Sequence, residues 1–177
     1  MSADLALASR LADAAGAAIR PYFRSAFGLE MKADATPVTL ADRAAEAAIR
    51  AILDVERPEE GIIGEEYGST REGASRVWVL DPIDGTRSFV GGRPIFGTLI
   101  ALIEEGVPIL GLIDQPISGE RWIGAAGQGT LFNGAPANTR KCAALAHAVQ
   151  ATTSPAAFSA DHLRAFERLI HATRDRL

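Results

Sequence analysis

A single cysteine, Cys142, leaves the chain without an internal disulfide or a pair of thiolates for a zinc site. Long apolar runs are missing too, and no stretch approaches the roughly 18–20 uninterrupted apolar residues that span a bilayer. Residues 1–10 are Ala-rich with one acid, Asp4, and one base, Arg10, and lack the basic start of a signal peptide. Positive charge is in deficit. With 18 Lys+Arg against 22 Asp+Glu the net charge is -4, which gives no general electrostatic reason to bind nucleic acid or an anionic membrane. His147, His162 and His171 are not spaced as a metal-ligand set, so surface or packing roles are expected. There is no internal repeat and no low-complexity linker. What remains is ordinary globular usage, 47% apolar and 23% charged over 177 residues. That length suits one domain, or one domain and part of a second. A soluble cytoplasmic protein is the expectation.

Residues 4–27 carry Leu7, Leu11, Ala14, Ala15, Ala18 and Tyr22 at helical spacing, with Ser2 as a cap and Gly28 as a stop. A polar stretch, residues 32–37, leads to a second helix over 40–55, capped by Thr39 and with Asp42 in its first turn. Short β-like runs follow at 61–64, 77–80, 96–104, 107–114, 121–125 and 149–153. Glu105-Gly106 and residues 115–119 read as hairpin connections, which predicts a largely antiparallel sheet. The Gly-rich run 124–134 lacks the Lys-Ser/Thr ending of a nucleotide phosphate loop and reads as turns. A last helix, from Ala160 to about Thr173, puts Leu163, Phe166, Leu169 and Ile170 on one face. Two helices followed by a meandering sheet make an α+β layered arrangement.

The informative residues lie between Gly64 and Phe89. Gly64-Glu65-Glu66 closes one strand, and Asp81-Pro82-Ile83-Asp84-Gly85-Thr86 follows directly on another. Carboxylates gathered at strand ends repel one another unless they are solvated, protonated or arranged around a cation. Pro82 fixes its own φ and biases Asp81 away from the helical region, so Asp81 and Asp84 can converge on one place. Mg²⁺ takes oxygen ligands at about 2.0–2.1 Å and keeps some of its waters. Gly85 permits a tight turn, and the amides of Gly85 and Thr86 can open a short helical turn that attracts phosphate. Taken singly, a Glu-Glu pair or an Asp-x-x-Asp is ordinarily a solvated turn. Together they point to metal-assisted phosphoryl chemistry, in which cations polarise a phosphate and activate water.

These residues resemble the inositol monophosphatase superfamily. Gly64-Glu65-Glu66 is similar to its Gly-Glu-Glu element, and the uninterrupted run 78–89, WVLDPIDGTRSF, is similar to its W-x-x-D-P-[IL]-D-G-T-x-x-F signature. Pro37-Val38-Thr39-Leu40-Ala41-Asp42 resembles the start of its second helix. Residues 92–102 and 111–116, with Glu120-Arg121-Trp122, most resemble the histidinol-phosphatase branch. The resemblance implies the N-terminal part of an αβαβα layered fold. Residues 1–150 would form the metal- and phosphate-binding α+β domain, and 151–177 the start of a C-terminal α/β domain.

It also implies roles. Glu65, Asp81 and Asp84, with the backbone carbonyl of Ile83, would ligate two or more Mg²⁺ ions. Asp84, Gly85 and Thr86 would meet the substrate phosphate. Glu65 and Thr86 would orient the attacking water, and Asp42 would accept a hydrogen bond from Thr86. The substrate would be a small phosphorylated metabolite, histidinol phosphate or inositol phosphate, and homodimers are common in the family. The family's second half, with a further metal-ligating aspartate, is not met before Leu177. The expectation is a truncated member with weak metal binding, little turnover and exposed apolar surface, or a non-catalytic subunit. Trp78 and Trp122 read as packing residues. Arg87 and Arg93 flank the phosphate turn as substrate contacts or structural ion pairs. Cys142 has no acid–base companion.

Overall fold

The computed structural model describes residues 2–25, 29–31, 37–152 and 158–176. The chain divides into two compact units, Met1–Ala137 and Asn138–Leu177. In the first, helix α1 (Ser2–Ile19) passes into a single 3-10 turn at Arg20–Tyr22, where Pro21 cannot donate to an α-helical ladder. The helix therefore ends well before Phe27, and Ser2 is its first residue rather than its cap. Gly28 and residues 32–36 lie outside the described residues, as do the side chains of residues 26–39, so the cap expected at Thr39 is not described. The backbone pairs β1 (Leu29–Met31) with β2 (Pro37–Thr39). Helix α2 follows at once (Leu40–Glu56).

Then come β3 (Gly61–Gly64), β4 (Gly68–Thr70), β5 (Arg76–Asp84), α3 (Thr86–Val90), β6 (Gly97–Glu104), β7 (Val107–Gln115), β8 (Glu120–Ala125), β9 (Gly129–Phe132) and β10 (Ala135–Ala137). They form an eight-stranded sheet in the order β10-β9-β8-β7-β6-β5-β3-β4. All neighbours are antiparallel except β3 and β5, whose parallel register sets Gly64 beside Leu80. That pairing brings the carboxyl ends of two strands, with Glu65 and Glu66 just after β3 and Asp81 and Asp84 at the end of β5, to one end of the sheet.

Hairpin chemistry fixes the register. Glu105 and Gly106 both take positive φ (49° and 79°), the type I′ geometry that follows the strand twist. Asn133-Gly134 repeats it between β9 and β10 (46° and 82°). The Gly-rich run is thus not only turns. Its second half is strand β9, where Thr130, Leu131 and Phe132 pair with Gly124, Ile123 and Trp122.

The core lies between the helices and one sheet face. Leu7, Leu11, Ala15 and Ile19 of α1, with Ile49 and Leu53 of α2, pack on Trp78, Leu80, Ile100, Leu102, Leu110 and Leu112. Each fully buried Leu or Ile contributes about 1.5–3 kcal/mol relative to exposure. Two guanidinium clamps tie helix to sheet. Arg121 reaches Asp114 at 2.7 Å and Asp13 of α1 at 2.8 Å. Arg76 reaches Asp4 at 2.9 Å, Glu60 at 3.0 Å and Glu104 at 2.8 Å, while Glu60 also accepts the Trp78 indole N–H at 2.6 Å. The opposite face carries Val79 and Leu99, half-buried, and Ile63 and Ile113, exposed. Trp122 there meets Phe132 with ring centroids 4.6 Å apart.

In the second unit a 3-10 turn at Leu145–His147 precedes β11 (Val149–Gln150), which pairs in parallel with β12 (Asp175–Arg176). Helix α4 (Ala160–Ala172) is capped by the Ser159 hydroxyl on the His162 amide. Leu163 and Leu169 on its apolar face are exposed. Cys142 is exposed as well.

Candidate active site

Strand β5 runs to Asp84, so the Asp-Pro-Ile-Asp motif is the end of the strand and not a loop beyond it. Its pairing with β6 breaks register between Asp81 and Asp84, because Pro82 has no N–H to give the ladder. The Pro82 carbonyl instead accepts the buried Thr98 hydroxyl at 2.8 Å. That bulge aims Asp81 and Asp84 while Ile83 stays buried. Replacing Thr98 with Val keeps the shape and strands the carbonyl, so a loss of about 1–3 kcal/mol is expected in urea unfolding. No loss would mean that the bulge holds without this bond.

Gly85 then turns at φ 92° and opens α3. A side chain there is strained twice over, by the left-handed backbone and by Ile95 O and Phe96 at 3.3 Å from a Cβ. Gly85 O accepts the amides of Ser88 at 2.8 Å and Phe89 at 3.1 Å. The amides that precede them stand at the start of the turn. The Thr86 hydroxyl donates to the Ile83 carbonyl at 3.1 Å.

Electrostatics single out Asp81. Burial first, then the charges of Glu65 and Asp84, a hydrogen bond with Glu65 and the charge of Asp42 push its carboxyl up to about 7 from the ordinary 3.8. Its Oδ1 is buried and has no hydrogen-bond partner among the described residues. Glu65 and Asp84 are exposed beside it, whereas Asp42 is buried on α2. Among the described residues, no three acidic, histidine or cysteine side chains already stand close enough to hold a metal ion. Even so, an orphaned carboxylate oxygen flanked by further carboxylates fits a hard divalent cation, which would relieve both the repulsion and the missing partner.

A residue that sequence reasoning passed over completes the arrangement. Glu46 is fully buried on α2, one turn after Asp42, and accepts the amides of Glu66 at 2.8 Å and Tyr67 at 3.2 Å. A carboxylate at i+4 from Asp42 on an otherwise alanine-rich buried face was the available signal. Arg87 and Arg93 are exposed at the turn. Trp78 is buried in the core.

A sequence profile of the inositol monophosphatase family matches residues 1–174. The chain belongs to the inositol monophosphatase family. It is 51% identical over 166 residues to the bifunctional phosphatase IMPL2, chloroplastic, of Arabidopsis thaliana, across 93% of this chain and 48% of that protein. It is 44% identical over 129 residues to a histidinol-phosphatase of Mycobacterium tuberculosis, across 72% of this chain and 50% of that protein. A solved inositol monophosphatase from Zymomonas mobilis superposes with a TM-score of 0.87 at 54% identity, covering 99% of this chain and 68% of that one. The chain thus spans about half the length of the curated relatives it matches. Its α+β architecture is that of part of the family fold, as the resemblance of the signature implies.

Proposed function

We propose that this member of the inositol monophosphatase family hydrolyses the phosphate monoester of a small metabolite with Mg²⁺, histidinol phosphate being the favoured substrate. The observation that carries the reading is the buried Oδ1 of Asp81, without a hydrogen-bond partner among the described residues, set among Glu65, Asp84 and Asp42 and close in sequence to Gly85-Thr86. Glu65, Asp81, Asp84 and the Ile83 carbonyl would hold the cations. When bound, Mg²⁺ supplies charge that polarises a phosphate and acidifies water.

The chain's own groups do the rest. The Gly85 and Thr86 amides, at the start of α3, would take phosphate oxygens and keep phosphorus in one position. With its proton given to Ile83 O, the Thr86 oxygen is free to accept from a water, and Glu65 would orient that water from the other side. In place of the Ile83 carbonyl, Asp42 would accept that Thr86 hydrogen bond and help position the hydroxyl. Residues 151–177 would begin the family's C-terminal α/β domain.

Two histidinol-phosphatases of 44% identity support the substrate choice. The 54% identity to the Zymomonas mobilis structure supports inositol monophosphate as the second reading. The deciding experiment is phosphate release from both compounds by the purified chain, with and without Mg²⁺. Release that requires Mg²⁺ and is faster from histidinol phosphate is expected. Faster release from inositol phosphate would favour the second reading, and Mg²⁺ binding without release from either would overturn the activity.

A further inference from the structure

The acidic loop after β3 is held from beneath by a carboxylate that cannot itself reach substrate. Glu46 has no exposed surface. Its Oε2 accepts the Glu66 amide at 2.8 Å, and its Oε1 accepts the Tyr67 amide at 3.2 Å and Arg50 Nε at 2.8 Å. Arg50 also donates to the Gly68 carbonyl and lies over the Tyr67 ring at 6.0 Å. The loop is therefore gripped at three successive residues, Glu66, Tyr67 and Gly68, just past Glu65. Gly64 makes the approach feasible, because a Cβ there would overlap the Glu46 carboxylate. A buried charge with one cation and two amide donors is fully paired, so the grip is rigid rather than strained.

We propose that Glu46 is a positioning residue: held by Arg50, it ties down the amides after Glu65 and so fixes the Glu65 carboxylate beside Asp81. The role rests on the reading of Glu65 and Asp81 as cation ligands. Its mechanical half, the hold on the loop, can be measured without any cation.

Two variants, Glu46→Gln and Arg50→Met, test it by amide hydrogen exchange of the metal-free chain and by titration with Mg²⁺ alone. In E46Q the Glu66 and Tyr67 amides should exchange at least about tenfold faster while those of β6 and β7 keep their protection, and Mg²⁺ affinity should fall by about tenfold. A weaker Mg²⁺ affinity in E46Q could also come from removing a nearby negative charge. R50M separates the two causes. Removing a nearby positive charge tightens cation binding through the field, whereas loosening the loop weakens it. Weaker Mg²⁺ binding by R50M is the expected result, and tighter binding overturns the proposal. Unchanged exchange at Glu66 and Tyr67 in both variants also overturns it. If the parent chain takes no Mg²⁺, the cation-site reading fails, and exchange alone decides whether Glu46 holds the loop. Should E46Q not fold, R50M carries both readouts.

Discussion

Asp81→Asn is expected to make the metal-free chain more stable at neutral pH while abolishing its response to Mg²⁺. The Asp81 carboxyl titrates near 7 in the fold against an ordinary 3.8, chiefly through burial and then through Glu65 and Asp84. A carboxyl raised on folding favours the fold while protonated. Its contribution is fully present below the unfolded value and is lost as pH rises through the folded one. Metal-free wild type should therefore lose stability between about pH 4 and pH 7 from this group, and D81N should not. The gap between them in urea midpoint should widen over that window and level off above it.

Saturating Mg²⁺ should reverse the order, because only wild type gains the RT ln(1 + [L]/Kd) of a ligand bound to the native state. A neutral amide in place of an anionic ligand should lower Mg²⁺ affinity by about a hundredfold or more, the scale of losing a ligand rather than a neighbour of one. The two measurements fail separately. A variant with an unchanged pH profile refutes the burial of charge at Asp81, and one that retains Mg²⁺ affinity refutes its place as a ligand. Stability held back at a functional position is the trade-off that such a site implies.

Much of this arrangement is legible in the sequence. The period of α2 and the run of apolar strands each fix an element, and Glu105-Gly106 is a turn with a stated mechanism, so those elements stand where periodicity puts them. The acidic cluster was legible because Pro82 and Gly85 punctuate it. What escaped was non-local. Strand β9 hides in a Gly-rich run because its partner is Trp122 to Gly124, and its own residues alternate weakly. The parallel pairing of β3 with β5, which gathers Glu65 and Asp81, leaves no mark in either segment. Glu46 escaped because the two backbone amides it accepts stand 20 and 21 residues further along the chain.

Phe89 joins the core to the Gly85-Thr86 turn, and Phe89→Ala should be the most damaging single truncation near the site. Phe89 is fully buried, with its ring edge-on to Phe96 at 5.1 Å and 5.8 Å from Phe23. Its helix, α3, is only five residues long, too short to persist without tertiary packing. Removing the ring opens a cavity beneath that helix, at an expected cost of about 3–5 kcal/mol. Against a typical total of 5–15 kcal/mol, that is a large share.

The loss should not stop at stability. The Phe89 amide closes on Gly85 O, and Phe96 lies against Gly85 itself, so the cavity adjoins the turn that presents the Gly85 and Thr86 amides. Weaker binding of inorganic phosphate in Mg²⁺ is expected at temperatures where the variant is still folded. Phe89→Leu, which refills part of the space, should recover part of both effects. Urea unfolding and phosphate titration of the two variants check this together. A loss below about 1 kcal/mol in F89A would mean that the site collapses around the gap, and that α3 is held by its strand connections instead of its ring.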